Sequence, residues 1–136
     1  MIVVDPTEIE LSDSWQDYDD RARWRSGSGH SPSEGAKSSG SSILEVQPGY
    51  RLPRHTDSAE EIVVVLSGTA EVVVGEERRQ LPAHGLALVP KLVPHEVRNA
   101  GEVPLRFAAI YAEPDVVTRY EHDVQPDGSR ERHTIS

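Results

Sequence analysis

Two separated segments of the chain place four potential metal ligands on or beside short stretches with the composition of β-strands. His55 and Asp57 stand two positions apart, so on a strand both side chains leave the same face. Glu61 follows just beyond a bend, and His95 comes directly after a proline, in a run whose apolar residues suit a neighbouring strand. The pattern therefore predicts one metal site that is shared by neighbouring strands.

From Ile43 onward the chain reads as a series of short strands separated by turn residues. Examples are residues 62–66 (IVVVL) and 70–74 (AEVVV), which are separated by a turn that contains a glycine. Several such strands at short spacing are typical of an antiparallel sandwich or barrel. The length of 136 residues is close to the commonest size of one domain. We therefore predict an all-β fold with a single domain.

The two ligand-bearing segments resemble the two motifs of the cupin superfamily, GxxxxxHxHxxxExxxxxxG and GxxxxxPxGxxHxxxN. The matching positions are Gly49, His55, Glu61 and Gly68 in the first motif and Pro90, His95 and Asn99 in the second. Agreement across two separated segments is much more specific than a match to one short pattern. The chain is thus similar to a small single-domain cupin, and this resemblance implies a jelly-roll β-barrel.

Three positions depart from these motifs. Asp57 stands where a second histidine is usual, His84 replaces the first glycine of the second motif, and Leu92 replaces its internal glycine. The two glycine positions lie at predicted turns, so their replacement should matter little for chemistry. Asp57 does matter, because it changes the implied ligand set from three histidines and a glutamate to two histidines and two carboxylates.

The resemblance divides the chain into three parts. Residues 43–112 match well and should form the barrel core. Residues 1–42 are expected to form an N-terminal arm and a flexible loop, because Gly and Ser dominate residues 26–42 and leave no large apolar residue to anchor a core. Residues 113–136 are polar and charged, which predicts a partly ordered C-terminal arm.

The cupin resemblance implies one divalent metal ion held by His55, Glu61 and His95, with Asp57 as a fourth ligand or a catalytic base. Asp57 and Glu61 are therefore also the candidate catalytic residues, since a carboxylate that stays off the metal can take a proton from substrate. The chain contains no cysteine, so imidazole and carboxylate must hold the ion. Two anionic oxygens favour a hard ion, so Fe(II) or Mn(II) is the expected cofactor, with Zn(II) or Ni(II) as alternatives.

Two imidazoles and one carboxylate on one face of an octahedral ion form the arrangement of non-haem iron oxygenases. We therefore expect a metal-dependent dioxygenase that acts on a small organic substrate with a carbonyl, enol or phenol oxygen. An isomerase or cyclase of the polyketide-cyclase type, and a cupin that binds a small molecule without turnover, stay open. The chain also resembles the 2-oxoglutarate-dependent oxygenases in the order of four residues, HxD followed by H and R, which here are His55, Asp57, His95 and Arg106. In those enzymes the arginine binds the carboxylate of the cosubstrate.

The charge balance bears on the partners of the chain. It has 23 Asp and Glu residues against 14 Lys and Arg residues, for a net charge of -9. Phosphate backbones and anionic membrane surfaces would repel such a chain, so neither nucleic acid nor a membrane is an expected partner. No apolar stretch has the length of a membrane span, and the first residues lack the pattern of a signal peptide, which predicts a cytoplasmic protein.

The strand predicted at residues 62–66 is apolar on both faces, so its outer face also needs cover. A second sheet or the N-terminal arm of the same chain would serve, and so would a partner subunit. Small cupins are commonly dimers, and the resemblance therefore favours a homodimer.

Overall fold

Two antiparallel β-sheets of six strands each pack face to face in the computed structural model, which describes residues 1–133. Across the first sheet the order is β1 (Ser12–Trp15), β2 (Arg23–His30), β3 (Gly40–Val46), β10 (Leu105–Tyr111), β5 (Glu61–Ser67) and β8 (Leu86–Val89). Across the second sheet it is β12 (Ser129–His133), β11 (Val117–Val124), β4 (Arg51–Asp57), β9 (His95–Asn99), β6 (Ala70–Val74) and β7 (Glu77–Leu81). This architecture confirms the predicted all-β jelly-roll barrel.

Helical structure in the described chain is limited to one 3-10 helix, Pro32–Glu34, between β2 and β3. A membrane-spanning helix needs about 20 apolar residues. Within residues 1–133, therefore, no helix could cross a bilayer. The cytoplasmic location stays a prediction.

The strands alternate between inward apolar and outward polar positions, so the two sheets share one core. In β10, for example, Leu105, Phe107 and Ala109 are fully buried, whereas Arg106 points to the outer face. Other fully buried core residues are Val46, Val63, Val65, Val116 and Val124. Polar side chains that also point inward from β4, β5 and β9 are thus surrounded by apolar groups.

The structure corrects the prediction of a flexible loop at residues 26–42. Much of this segment is strand: β2 pairs with β3 from Arg25 opposite Glu45 to Ser28 opposite Ser42, and β3 crosses the predicted boundary after residue 42. Gly27 allows close packing against the N-terminal segment. A Cβ on Gly27 would lie 2.6 Å from a side-chain carbon of Ile9, in the N-terminal segment that crosses β2.

The structure also corrects the prediction of a C-terminal arm at residues 113–136, of which residues 134–136 lie outside the described part. Strands β11 and β12 belong to the second sheet, and β11 pairs with β4 so that Tyr120 faces His55. Val116, Tyr120 and Val124 are buried, with polar and charged residues between them. These polar residues make the segment polar on average and so conceal the two-residue period of a half-buried strand.

The N-terminal segment covers only part of the outer face of the first sheet. Arg106 Nη1 donates to the carbonyl oxygen of Pro6 at 2.6 Å, and His30 Nε2 lies 3.1 Å from the carbonyl oxygen of Ile2. Apolar residues that stay exposed on β5, β8 and β10 are Ile62, Leu86, Leu88 and Ile110. The N-terminal segment is therefore one of the expected covers, and the homodimer stays a prediction for the remaining surface.

His84 and Leu92, which replace the two motif glycines, both have a left-handed backbone. Their φ angles are 71° and 64°. In this region a side chain brings Cβ close to the following carbonyl oxygen, at a cost of roughly 1–2 kcal/mol. The chain thus keeps the glycine conformation at both positions without having the glycines.

We expect Leu92→Gly to raise the free energy of unfolding by about 0.5–1 kcal/mol. The leucine side chain is largely exposed, so its removal loses little burial and relieves the left-handed strain, which exceeds the added backbone entropy of glycine. Urea unfolding monitored by circular dichroism measures the change. Leu92→Ala keeps Cβ and should show no gain, and a glycine variant less stable than wild type would contradict the prediction.

Candidate metal centre

Four buried polar side chains meet inside the barrel at the junction of β4, β5 and β9. His55 and Asp57 lie on β4, Glu61 is the first residue of β5, and His95 is the first residue of β9. His55 and His95 are directly opposite each other in the β4–β9 pair, and their ring centroids are 4.1 Å apart. All four residues are at least 95% buried. The structure therefore brings together every ligand that the sequence predicts.

Two imidazoles and one carboxylate of this cluster are close enough to share one metal ion. One potential ligand atom from each of His55, Asp57 and His95 lies within 4.8 Å of the other two. Asp57 Oδ2 is 3.2 Å from His95 Nε2 and 3.6 Å from His55 Nε2. Glu61 Oε1 contacts His95 Nε2 at 3.0 Å, but Glu61 is not part of the three-residue group.

Hydrogen bonds to the backbone orient both imidazole rings in the cluster. Nδ1 of His55 donates to the carbonyl oxygen of Pro53 at 2.7 Å, and Nδ1 of His95 donates to the carbonyl oxygen of Val93 at 2.9 Å. A carbonyl oxygen only accepts, so these bonds assign the proton of each neutral ring to Nδ1. The Nε2 lone pairs are left facing the centre of the cluster, where a metal would use them.

Asp57 presents a buried oxygen that protein groups leave without a hydrogen bond. Its Oδ1 accepts a bond of 2.6 Å from Thr118 Oγ1. Its Oδ2 is buried and has no hydrogen-bond partner among the described residues, although both Nε2 atoms are near. A buried anionic oxygen is costly unless it is paired or coordinates a cation. The orphaned oxygen and the nitrogen and oxygen donors around it fit a divalent transition metal.

The charges in the cluster shift the pKa values of its members strongly. Burial lowers the pKa of His95, but the nearby carboxylates of Asp57 and Glu61 outweigh burial and raise it to about 10. Burial raises the pKa of Asp57, but the close approach of His55 and His95 outweighs it and holds this pKa below its usual range. A metal ion must displace the proton on His95. We therefore expect the metal affinity to increase as pH rises toward about 10.

Thr118 fixes the orientation of Asp57, so Thr118→Val should weaken metal binding by roughly 10- to 100-fold. Valine has nearly the same shape as threonine but cannot donate to Asp57 Oδ1, which frees the carboxylate to rotate. Competition with a fluorescent chelator measures the affinity. Thr118→Ser keeps the hydroxyl and should restore most of the binding. Equal loss of metal affinity in Thr118→Val and Thr118→Ser would contradict a role for the hydrogen bond between Thr118 and Asp57.

The geometry favours Asp57 over Glu61 as the carboxylate ligand, whereas the cupin spacing implies Glu61. Asp57 shares a strand face with His55, and its free oxygen lies near both imidazoles. Glu61 lies beyond the bend on the next strand and contacts only the His95 side of the cluster. Glu61 thus lies in the cluster next to His95 but outside the three-residue group that could share one ion.

Arg106 does not belong to the centre, so the structure does not support the 2-oxoglutarate arrangement. Its Nε donates to Glu45 Oε2 at 2.9 Å, and its Nη1 donates to the N-terminal segment on the outer face of the first sheet. A cosubstrate held there would be separated from His55 by the sheet itself. The order of residues in sequence placed Arg106 near the site, but its strand face turns it away.

Comparison with known families agrees with this geometry. The family model described as "Cupin domain" matches residues 42–111, about half of the chain. The chain belongs to the cupin family. This cupin is 36% identical over 84 residues to the xanthan biosynthesis protein XanB of Xanthomonas campestris pv. campestris. That match covers 57% of the chain and 18% of XanB, so the chain spans less than a fifth of the relative's length.

Solved structures share the fold of this cupin. The polyketide cyclase RemF from Streptomyces resistomycificus superposes with a TM-score of 0.67 at 18% identity, over 85% of this chain and 83% of that one. Oxalate decarboxylase from Lactobacillus farciminis, in a formate complex, superposes with a TM-score of 0.66 at 20% identity. The match covers 79% of this cupin and 32% of the decarboxylase. At these identities the likeness concerns the fold alone.

A cavity of about 290 Å³ lies next to this cluster, and none of the four cluster residues lines it. Tyr111, Thr118 and Tyr120 line it on the side of the cluster, and the Tyr120 ring lies 5.2 Å from the His55 ring. Burial, with the nearby Asp57 and Glu61 charges, raises the pKa of both tyrosines above the usual value. Their phenol groups therefore stay protonated at neutral pH and keep a proton to donate.

Sequence reasoning misses Thr118 and Tyr120 because both lie in the segment expected to be an arm. Their signal was the alternation of Val116, Thr118, Tyr120 and Val124 at even positions, which puts them on one strand face. That period would have indicated a strand, but the pairing of β11 with β4 could not be deduced from it. The contact between Thr118 and Asp57 depends on that pairing.

Proposed function

We propose that this cupin is a metal-dependent oxygenase that acts on a small organic substrate with a carbonyl, enol or phenol oxygen. The group of His55, Asp57 and His95 is the observation that supports it, since two histidines and one carboxylate are the ligands of non-haem iron oxygenases. Such a set holds one face of an ion and leaves positions free for other molecules. Fe(II) or Mn(II) is the proposed cofactor.

The ion would supply Lewis acidity toward a substrate oxygen and, if it is iron, the redox chemistry that oxygenation requires. The protein's own groups do the rest. His55 and His95 are locked in the ligand tautomer by backbone carbonyls, and Thr118 holds Asp57 so that one carboxylate oxygen faces the centre. Glu61 is buried next to His95, and in this proposal it accepts a proton from a substrate hydroxyl or an acidic carbon.

A redox-neutral isomerase or cyclase is the second candidate, and the position of Glu61 favours it. A buried carboxylate outside the three-residue group can act as a base, while the protonated phenols of Tyr111 and Tyr120 can act as donors at the cavity. Together they would move a proton within a substrate without any oxidant.

Oxygen dependence separates the two candidates. The chain would be loaded with Fe(II) and mixed with a panel of small diketones and phenols, while an oxygen electrode and mass spectrometry follow consumption and products. Oxygen uptake with incorporation of oxygen into product supports the oxygenase. Conversion under argon, or with Zn(II), supports the isomerase or cyclase. Tight binding without conversion of any compound would contradict both candidates and favour a binding cupin.

A further inference from the structure

The cavity next to the cluster is lined by both apolar and polar side chains. Its large apolar and aromatic lining residues are Trp24, Leu44, Tyr111 and Tyr120. Serines from β2 and β3 and Arg132 from β12 are among its polar lining residues. A volume of about 290 Å³ suits a small molecule with an aromatic or branched apolar body and a polar group at one end.

Arg132 is the only permanently charged side chain among the described residues that line the cavity. The chain carries 23 Asp and Glu residues, yet none is among the described residues that line this cavity. An anionic group of a ligand could therefore pair with this guanidinium without meeting a carboxylate in the lining.

Arg132 is held in place largely by neutral groups. Its Nη1 donates to Ser14 Oγ at 2.7 Å, and its Nη2 donates to the carbonyl oxygen of Gln125 at 3.4 Å. Its nearest carboxylate contact is Asp127 Oδ1, at 3.8 Å and on a more exposed side chain. These contacts orient the guanidinium without full neutralisation of its charge, which leaves it suited to pair with a carboxylate.

We propose that Arg132 makes this cavity a binding site for small carboxylates with an apolar body. The carboxylate pairs with Arg132, the body lies against Trp24 and Tyr120, and the other end of the molecule reaches Thr118, which contacts Asp57 at the metal centre. The inference names the substrate class of the proposed enzyme and rests on that function for the reacting end. The binding step itself does not require turnover.

Binding of matched probes to the chain as purified tests this inference. Phenylacetate and its neutral amide, phenylacetamide, have the same shape and differ in charge. Quenching of tryptophan fluorescence reports binding, because Trp24, one of the two tryptophans of the chain, lines the cavity. We expect the acid to bind at least about tenfold more tightly than the amide. Arg132→Gln should remove this preference, and Arg132→Lys should keep part of it.

Arg130→Gln is the matched control. Arg130 lies on the same strand, is exposed and pairs with Asp123, but it does not line the cavity. The control should keep the preference for the acid. Equal binding of acid and amide to wild type, or a preference that survives Arg132→Gln, would overturn the inference. A carboxylate that binds in this manner but is never converted would count against the proposed enzyme and not against the site.

Discussion

Replacement of His55 or His95 by alanine should reduce the affinity for Fe(II), Mn(II) and Zn(II) by more than about 100-fold. Each imidazole supplies one of only two nitrogen donors, and its Nε2 faces the centre because Nδ1 is bonded to a backbone carbonyl. Elemental analysis by mass spectrometry of protein purified without a tag, followed by titration with each ion, measures the loss. Near-stoichiometric metal in wild type and its absence in the variants is the expected result.

Two further variants serve as controls for this experiment. His84→Ala removes an exposed histidine outside the cluster and should leave the metal content unchanged. His95→Gln fills more of the buried space than alanine, so it tests whether metal loss follows from the lost ligand or from a collapsed site. Wild-type affinity in a well-folded His95→Gln variant, or absence of metal from wild type even after reconstitution, would contradict the metal centre.

Asp57→Asn should weaken metal binding by more than about 30-fold, whereas Glu61→Gln should weaken it by less than about tenfold. Asparagine is the same size as aspartate but lacks the anionic oxygen that faces the two imidazoles. Glu61 contacts the cluster only through His95, so its amide variant keeps the three ligands in place. Isothermal titration with Mn(II) compares the two affinities.

The same pair of variants separates binding from chemistry. If Glu61 is the base, Glu61→Gln retains metal but lowers the turnover of any substrate by about 100-fold or more. Glu60→Gln, at the adjacent exposed position, provides a control that changes the same charge outside the centre. A larger loss of metal affinity for Glu61→Gln than for Asp57→Asn would show that the cupin spacing, and not the three-residue geometry, identifies the carboxylate ligand.

The prediction that the candidate ligands lie close together agrees with the structure as far as local spacing carries information. His55 and Asp57 share a strand face in any β-strand, so their convergence follows from a separation of two residues. The motif resemblance added His95, because it implies that two distant strands are neighbours. It ranked Glu61 ahead of Asp57 as a ligand, whereas the three-residue group contains Asp57, because the order depends on how far the bend before β5 displaces the glutamate from the two imidazoles.

The predictions for the two ends of the chain show where composition misleads. Residues 26–42 look flexible because Gly and Ser dominate, yet Gly27 is small because the N-terminal segment passes within contact distance of it. The polar segment that contains Tyr120 is a strand because its inward residues are buried by other strands. Composition averages over both faces of a strand, whereas burial acts on each face separately.

The amino-acid sequence by itself therefore determined the all-β class, the cupin fold and the identity of the candidate ligands, because these depend on residue types at short, regular spacings. Only the tertiary structure decided that Thr118 holds Asp57, that Arg106 faces away from the centre and that Arg132 lines the cavity. These facts depend on which strands pair and in which register. A shift of one residue in the pairing of a strand would turn each of its inward side chains outward. The register is therefore selected by hydrogen bonding and burial across the whole barrel.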